Sequence, residues 1–259
     1  MTTKLAGEER ILDWEGCLNA RDTGGLSTSG GGVIRRGALV RSDVLSRITP
    51  SGKSALIDHG VRTIVDVRSG DEVARDWEQY PFREGSVQYR NVSFNTGRDD
   101  LAWEELKRHY EAAQSREELN RIDLDAHPRG IAAIVSAVAD AGPGGVLIHC
   151  QAGKDRTGLI VALLLAVAGV ADEDIADDYA LTALNLEPLI IDWLDAMSDD
   201  EAERARLRGL AHPRREAMLD TLEYLRAKYG SAEQYLSQAG VTDNQLARVR
   251  ARLVESADG

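Results

Sequence analysis

The run from Gly144 to Val170, GGVLIHCQAGKDRTGLIVALLLAVAGV, constrains this chain more than any other stretch. Residues 144–149 are a short continuous apolar segment, the pattern of a strand buried on both faces. Residues 157–169 are apolar nearly all round, so a helix there belongs at the centre of a core. Between them lie Cys150, Gly153 and the cluster Lys154, Asp155, Arg156, Thr157. A buried strand joined by a tight polar loop to a buried helix needs a sheet with helices packed on it. In parallel sheets of that kind ligands bind beyond the carboxyl ends of the strands, which is where this loop falls.

The rest of the sequence alternates in the same way. ALVRS (38–42), VRTIVDV (61–67) and VQYRNVSF (87–94) read as strands. Residues 49–60 read as a short helix stopped by Gly60, and Ser69-x-x-Glu72 is a capping box that opens another. Helical spacing covers 101–114 and 127–142, the latter with Pro128 in its first turn. The last third reads as helices over 172–184, 187–197, 212–230, 231–240 and 242–255, the last two opening on Ser/Thr-x-x-Gln boxes. The expected fold is α/β: one domain over 1–259, with a central, mostly parallel sheet flanked by helices. The charged stretch 183–212 has no strand partner and reads as a helical insertion in the C-terminal third.

The loop predicts chemistry. A helix N-terminus offers unpaired N–H groups and the positive end of a dipole, which together suit a tetrahedral dianion. Gln151, Ala152, Gly153, Lys154 and Thr157 would form the cradle, with Gly153 permitting tight curvature. Arg156 can grip two phosphate oxygens at once. Cys150 sits at the focus, where those donors favour the thiolate, the nucleophilic form. The expected reaction is in-line attack on a phosphoryl group, giving a phosphocysteine that water hydrolyses. Thr157 would hydrogen-bond the sulfur, and His149 would brace the loop through its ring.

Composition sets limits. With 259 residues and 43% hydrophobic content the chain builds a substantial core. A net charge of −12 argues against nucleic acid as a partner and against an anionic membrane surface, since phosphate contacts need Lys and Arg. Two cysteines make no disulfide framework, so a reducing cytoplasm is the simplest location, with export by a route lacking a signal peptide left open. The apolar run Leu159–Val170 falls short of the roughly 20 residues of a bilayer span, so no stable membrane insertion is expected.

HCQAGKDRTG, residues 149–158, resembles the His-Cys-x5-Arg-Ser/Thr signature of cysteine-dependent phosphatases. GKDRTG is similar to the bacterial tyrosine phosphatases of the mycobacterial phosphatase B type. NARDTGGL (19–26), LVRSDVLSRIT (39–49), IVDVRSGDE (64–72), DDYALT (177–182) and the C-terminal stretch 229–253 resemble blocks of the same family. The resemblance implies a protein tyrosine phosphatase whose substrates are phosphotyrosine proteins, with relaxed specificity reaching phosphoserine, phosphothreonine and phosphoinositides. It implies no metal, no cofactor and a helical lid, which 183–212 would supply. The chain departs from the family at Gln151 and Ala20, where an aromatic is common.

The leaving phenolate needs a proton donor. Asp155 is the first choice, in line with the family. Asp99 and Asp100 are the alternative and Asp66 a third, although Asp66 at a strand end also suits orienting Arg68. Arg21 and Asp22 read as a bracing ion pair under the site. Lys154 reads either as the ligand of a second phosphate or as a solvated loop charge. The apolar row Leu186, Leu189, Ile190, Trp193, Leu194 and Met197 reads either as a helix closing the core or as the lid's inner face. Cys17 reads as an inert buried thiol.

Overall fold

Strand segments with no polar face lie in the middle of the sheet, because only there is water excluded from both sides. The computed structural model describes residues 7–96, 100–197 and 199–256. Its N-terminal part supplies β1 (Arg21–Asp22), β2 (Gly32–Ile34), β3 (Leu39–Ser42), α1 (Pro50–Asp58), β4 (Val61–Asp66), the short α2 (Gly70–Ala74) and β5 (Gln88–Asn91). Helices α3 (Asp100–Ala112), α4 (Arg116–Ala126) and α5 (Pro128–Ala139) follow, then β6 (Gly145–His149) and α6 (Asp155–Val167). The chain ends with α7 (Asp172–Met197), α8 (Glu201–Ala211), α9 (Arg215–Tyr229), α10 (Ala232–Gln238), α11 (Asp243–Leu253) and β7 (Val254–Ser256).

Five strands form one sheet in the order β1-β3-β6-β4-β5. Its pairs are parallel except for the antiparallel edge β1–β3. The period-2 alternation of a strand divides the core in two. Leu39, Val65, Val146 and Ile148 face the larger cluster, with α5, α6 and the C-terminal helices. Val40, Ile64 and Leu147 face a second cluster with Trp14, Leu56, Tyr80 and Phe82. The parallel register brings Ser42, Asp66 and His149 level at one edge, because Ser42 and Asp66 are each partners of His149. The candidate loop starts one residue later.

Local signals work as read at several ends. Thr49 caps α1 by accepting the Gly52 N–H, and Ser69 and Glu72 cap each other's backbone at α2. Thr242 and Gln245 form the same box at α11, whereas at α10 only the Ser231 half is made. Three readings differ. Residues 172–197 are one helix rather than two, running through Pro188. A proline inside a helix costs about 3 kcal/mol. Leu186, Ile190 and Leu194, spaced by four, offset it by packing on Leu207 and Ala211 of α8. Helix α4 lacks an apolar stripe in its sequence, because its inward face is mixed, with Arg116, Asn120 and Leu124 buried. The last described residues form a strand: β7 pairs antiparallel with β2 and ties residues 254–256 to 32–34.

Candidate active site

The loop after β6 is shaped by donors that hold its carbonyls. The Val44 N–H donates to the Gln151 carbonyl at 3.0 Å. Asn19 Nδ2 donates to Ala152 and Gly153 carbonyls at 3.0 and 3.3 Å. Arg41 Nη2 donates to those of Gly153 and Lys154 at 2.9 and 3.3 Å. Across a trans peptide the N–H points opposite to the C=O, so carbonyls drawn outward turn the loop amides inward. Gly153 has φ +64°, and a Cβ there would lie 2.1 Å from the Ser42 carbonyl oxygen. Only glycine fits, for both reasons.

Cys150 is 4% exposed at the start of this ring. Thr157, in the first turn of α6, is buried, and its Oγ1 has no hydrogen-bond partner among the described residues. His149 lies behind the loop. Its Nδ1 is 3.0 Å from the Cys150 carbonyl, which can only accept, so Nδ1 carries the proton. Nε2 then accepts from the Tyr80 hydroxyl at 2.8 Å. Burial holds the ring neutral, below its ordinary pKa.

Arg156 is gripped in bidentate fashion by Glu72, at 2.7 and 2.8 Å. Those bonds, outweighing burial, hold the Glu72 carboxyl at about 2. Asp66 is fully buried behind the loop, bonded to Arg68 Nε and Nη2 at 3.0 and 2.8 Å and to the Tyr89 hydroxyl at 2.9 Å. Burial opposes its ionisation, but the bonds and charge of Arg68 keep it low. Arg68 continues to Asp76 at 2.9 Å. Asp66 therefore orients Arg68 and has no exposed surface from which to serve a leaving group.

Arg21 and Asp22 do not pair with each other. They are successive residues of β1, so their side chains leave on opposite faces. Arg21 bonds Asn19 Oδ1 at 2.7 Å and Thr182 Oγ1 at 2.8 Å. It also joins Arg10 and Arg41 around Asp178, at 3.4, 2.7 and 2.9 Å respectively. Asp22 accepts from the Gly24 and Gly37 amides at 2.8 and 2.7 Å and pairs with His59 at 3.0 Å. Arg21 thus reaches the loop through Asn19, whereas Asp22 fixes turns away from it.

Asp155 stands at the first position of α6, 3.3 Å from Arg116 and 3.5 Å from Lys154. Burial alone would raise its carboxyl; Arg116 and Lys154 outweigh it and hold the group below its usual range. Lys154 is not a solvated charge: its ammonium donates to the Ala211 carbonyl. Arg116 donates to the neighbouring Leu210 carbonyl at 2.8 Å, so two loop-side cations meet the C-terminal end of α8. Between them and the loop lies a cavity of about 450 Å³. Gln151, Ala152 and Lys154 form its floor, and Leu186, Ile190 and Leu207 are among its apolar roof. The Trp193 side chain lies outside the described residues, as do Asp99 and the side chain of Asp100.

A ring of inward amides around a thiol, closed by a braced guanidinium, can hold a tetrahedral dianion in line with sulfur. The sequence profile of the tyrosine phosphatase family matches residues 12–255. The chain belongs to the tyrosine phosphatase family. It is 30% identical to a tyrosine-protein phosphatase of Nostoc commune, over 85% of this chain and 76% of that one. It is 27% identical to the triple specificity protein phosphatase PtpB of Mycobacterium tuberculosis, over 94% of this chain and 99% of that one. A putative tyrosine-protein phosphatase of Cupriavidus necator is 29% identical over 88% of this chain and 83% of its own length.

Several parts of the phosphatase site were not foreseen. Asn19 and Arg41 stood in motif blocks with no role given them. Glu72 is both the cap that the sequence predicts and the partner of Arg156, which the acidic residue after Asp-x-Arg-Ser signals. Asp123 of α4 accepts the Tyr110 hydroxyl at 2.6 Å. Burial pushes its carboxyl up to about 6 despite that bond, and Asp155 adds to the rise. Cys17 lies against Asp43, its thiol 3.0 Å from Oδ1. Burial, then Asp43, push that thiol far above its ordinary pKa. Both cysteines are free.

Proposed function

We propose that this tyrosine phosphatase works through a phosphocysteine on Cys150. What supports this is the loop whose carbonyls of 151–154 are held outward by Val44, Asn19 and Arg41, which turns the amides of 152–155 inward, together with Arg156 braced by Glu72 six residues after the thiol. Cys150 attacks phosphorus, Arg156 and the amides hold the equatorial oxygens, and Thr157 supports the departing sulfur. Asp155 donates the proton to the leaving phenolate. His149, Asp66 and Arg21 keep the loop in shape from behind.

Residues 183–212 act as the lid. Its roof of Leu186, Ile190 and Leu207 gives the cavity an apolar wall for the body of the substrate. The relative named for triple specificity supports acceptance of phosphoserine and phosphothreonine as well as phosphotyrosine. A second reading, phosphoinositide hydrolysis, is favoured by Arg116 and Lys154, two cations that border the cavity. Its two free cysteines suit a reducing, cytoplasmic compartment. Among the described residues no helix is long and apolar enough to cross a membrane.

Cys150→Ser should reduce turnover of para-nitrophenyl phosphate to background while the variant still binds vanadate or a phosphotyrosyl peptide. Turnover at the wild-type rate would end the reading. Rates on phosphotyrosyl, phosphoseryl and inositol phosphate substrates compared side by side separate the substrate classes.

A further inference from the structure

The cavity wall carries a carboxylate outside the phosphate loop, that of Asp43. Asp43 directly follows β3, and β3 pairs with β6 so that Ser42 stands opposite His149. Asp43 and Cys150 are therefore the first residues past two paired strand ends, one strand spacing apart, about 4.8 Å between backbones. The bond from the Val44 N–H to the Gln151 carbonyl, 3.0 Å, carries that neighbourhood into the loop. Asp43 is 1% exposed, yet it borders the cavity beside Gln151 and Ala152.

Its two oxygens are used unequally. Oδ1 accepts three donors: the Cys17 thiol at 3.0 Å, the Leu18 N–H at 2.9 Å and the Asn19 N–H at 3.0 Å. Among the described residues Oδ2 is bonded only by Arg47, at 3.4 Å. Three donors on one oxygen fix the plane of the carboxylate and leave Oδ2 as the atom with room for another donor. A carboxylate next to a dianion site repels the ligand. A carboxylate there can serve a step that needs a proton acceptor.

We propose that Asp43 is the base of the hydrolytic half-reaction, taking the proton of the water that attacks the phosphocysteine. The inference rests on the phosphocysteine reading above. The water oxygen bonds to phosphorus as the P–S bond breaks, and the electron pair of that bond leaves with Cys150 as thiolate. The water proton passes to Asp43 Oδ2 and from there to solvent, and inorganic phosphate departs. Asp155 is the donor of the first step and is tied to Arg116 and Lys154 at 3.3 and 3.5 Å. Cys17 is a positioning residue that acts through Oδ1.

Asp43→Asn keeps an oxygen for the three donors and removes the base. With para-nitrophenyl phosphate in stopped flow, it should release a burst of about one nitrophenolate per enzyme and then turn over about 100-fold more slowly than wild type. Acid-quenched samples should carry phosphate on Cys150. In Asp43→Gly, added formate should restore turnover, which a merely structural role would not allow. Wild-type steady-state turnover in Asp43→Asn overturns the proposal. So does a slower rate with no burst and no accumulated phosphocysteine, or indifference to formate. Absence of phosphocysteine from wild type and variant alike would instead overturn the reading on which the proposal rests.

Discussion

Glu72→Gln tests the brace that makes Arg156 a fixed part of the phosphate cradle. Both Glu72 oxygens accept from Arg156, and Oε2 also takes the Ser69 N–H at 2.9 Å. Chiefly through Arg156, and against burial, the carboxyl sits at about 2 where 4.5 is ordinary. That difference is worth about 3 kcal/mol to the folded state at neutral pH. The Glu72 side chain is 24% exposed, and the Ser69 bonds share the effect. Screening and sharing leave about 1–2 kcal/mol to the Arg156 pair. At about 2–4 °C per kcal/mol for a chain of this size, Glu72→Gln should melt about 2–8 °C lower.

The pH dependence has a definite sign. A carboxyl whose folded value lies below its unfolded one stabilises fully above the unfolded value and loses the effect as pH falls through the folded value. The melting gap should therefore be constant from pH 7 to about 5 and close as the pH approaches about 2. Freed from its brace, Arg156 loses its aim, and kcat/KM for para-nitrophenyl phosphate should fall about 10- to 100-fold. Thermal melts across pH and steady-state kinetics measure both. Wild-type kcat/KM in Glu72→Gln, or a melting gap that persists unchanged at pH 2, would refute the reasoning.

Three further outcomes follow from the geometry. Arg116→Met removes the larger of the two charges that hold Asp155 low, so the carboxyl rises; because a donor must be protonated, the high-pH limb of the kcat profile should move to higher pH, and an unmoved limb would count against Asp155 as the acid. Gly153→Ala puts a Cβ 2.1 Å from the Ser42 carbonyl at φ +64°, and should cost about 1–3 kcal/mol in denaturant melts with at least about 100-fold loss of turnover. Asp123→Asn mimics the protonated acid: since the folded value, about 6, lies above the ordinary 3.8, ionisation at neutral pH costs stability, and the variant should be about 1–3 kcal/mol more stable than wild type at pH 7, with the gap gone by about pH 4.

What the sequence reveals of this site is what lies close together along the chain. The strand, loop and helix around Cys150 are contiguous, their burial is written in apolar runs, and Gly153 stands where the loop must turn back on Ser42. Ends such as Thr49, Ser69–Glu72 and Thr242–Gln245 are legible because a cap is a contact over three residues. The parts that hold the loop open come from far away. Asn19 and Arg41 reach its carbonyls from the N-terminal segment, Asp178 gathers Arg10, Arg21 and Arg41 from across the chain, and Glu72 finds Arg156 eighty-four residues on. Asp43 becomes a neighbour of Cys150 only through the β3–β6 register. Pro188 misleads because its local cost is visible and the packing of α7 on α8 that offsets it is not. The pairing of β2 with β7 escapes for the same reason: each strand is short and gains its partner only when the chain ends meet.

The most direct measurement is the site of phosphoryl attachment during turnover. Wild-type enzyme mixed with an aryl phosphate, stopped with acid within milliseconds and digested, should yield one phosphorylated peptide, with the phosphate on the sulfur of Cys150. Phosphate found on a carboxylate or a ring nitrogen instead, or rapid turnover with Cys150 never modified, would contradict the account.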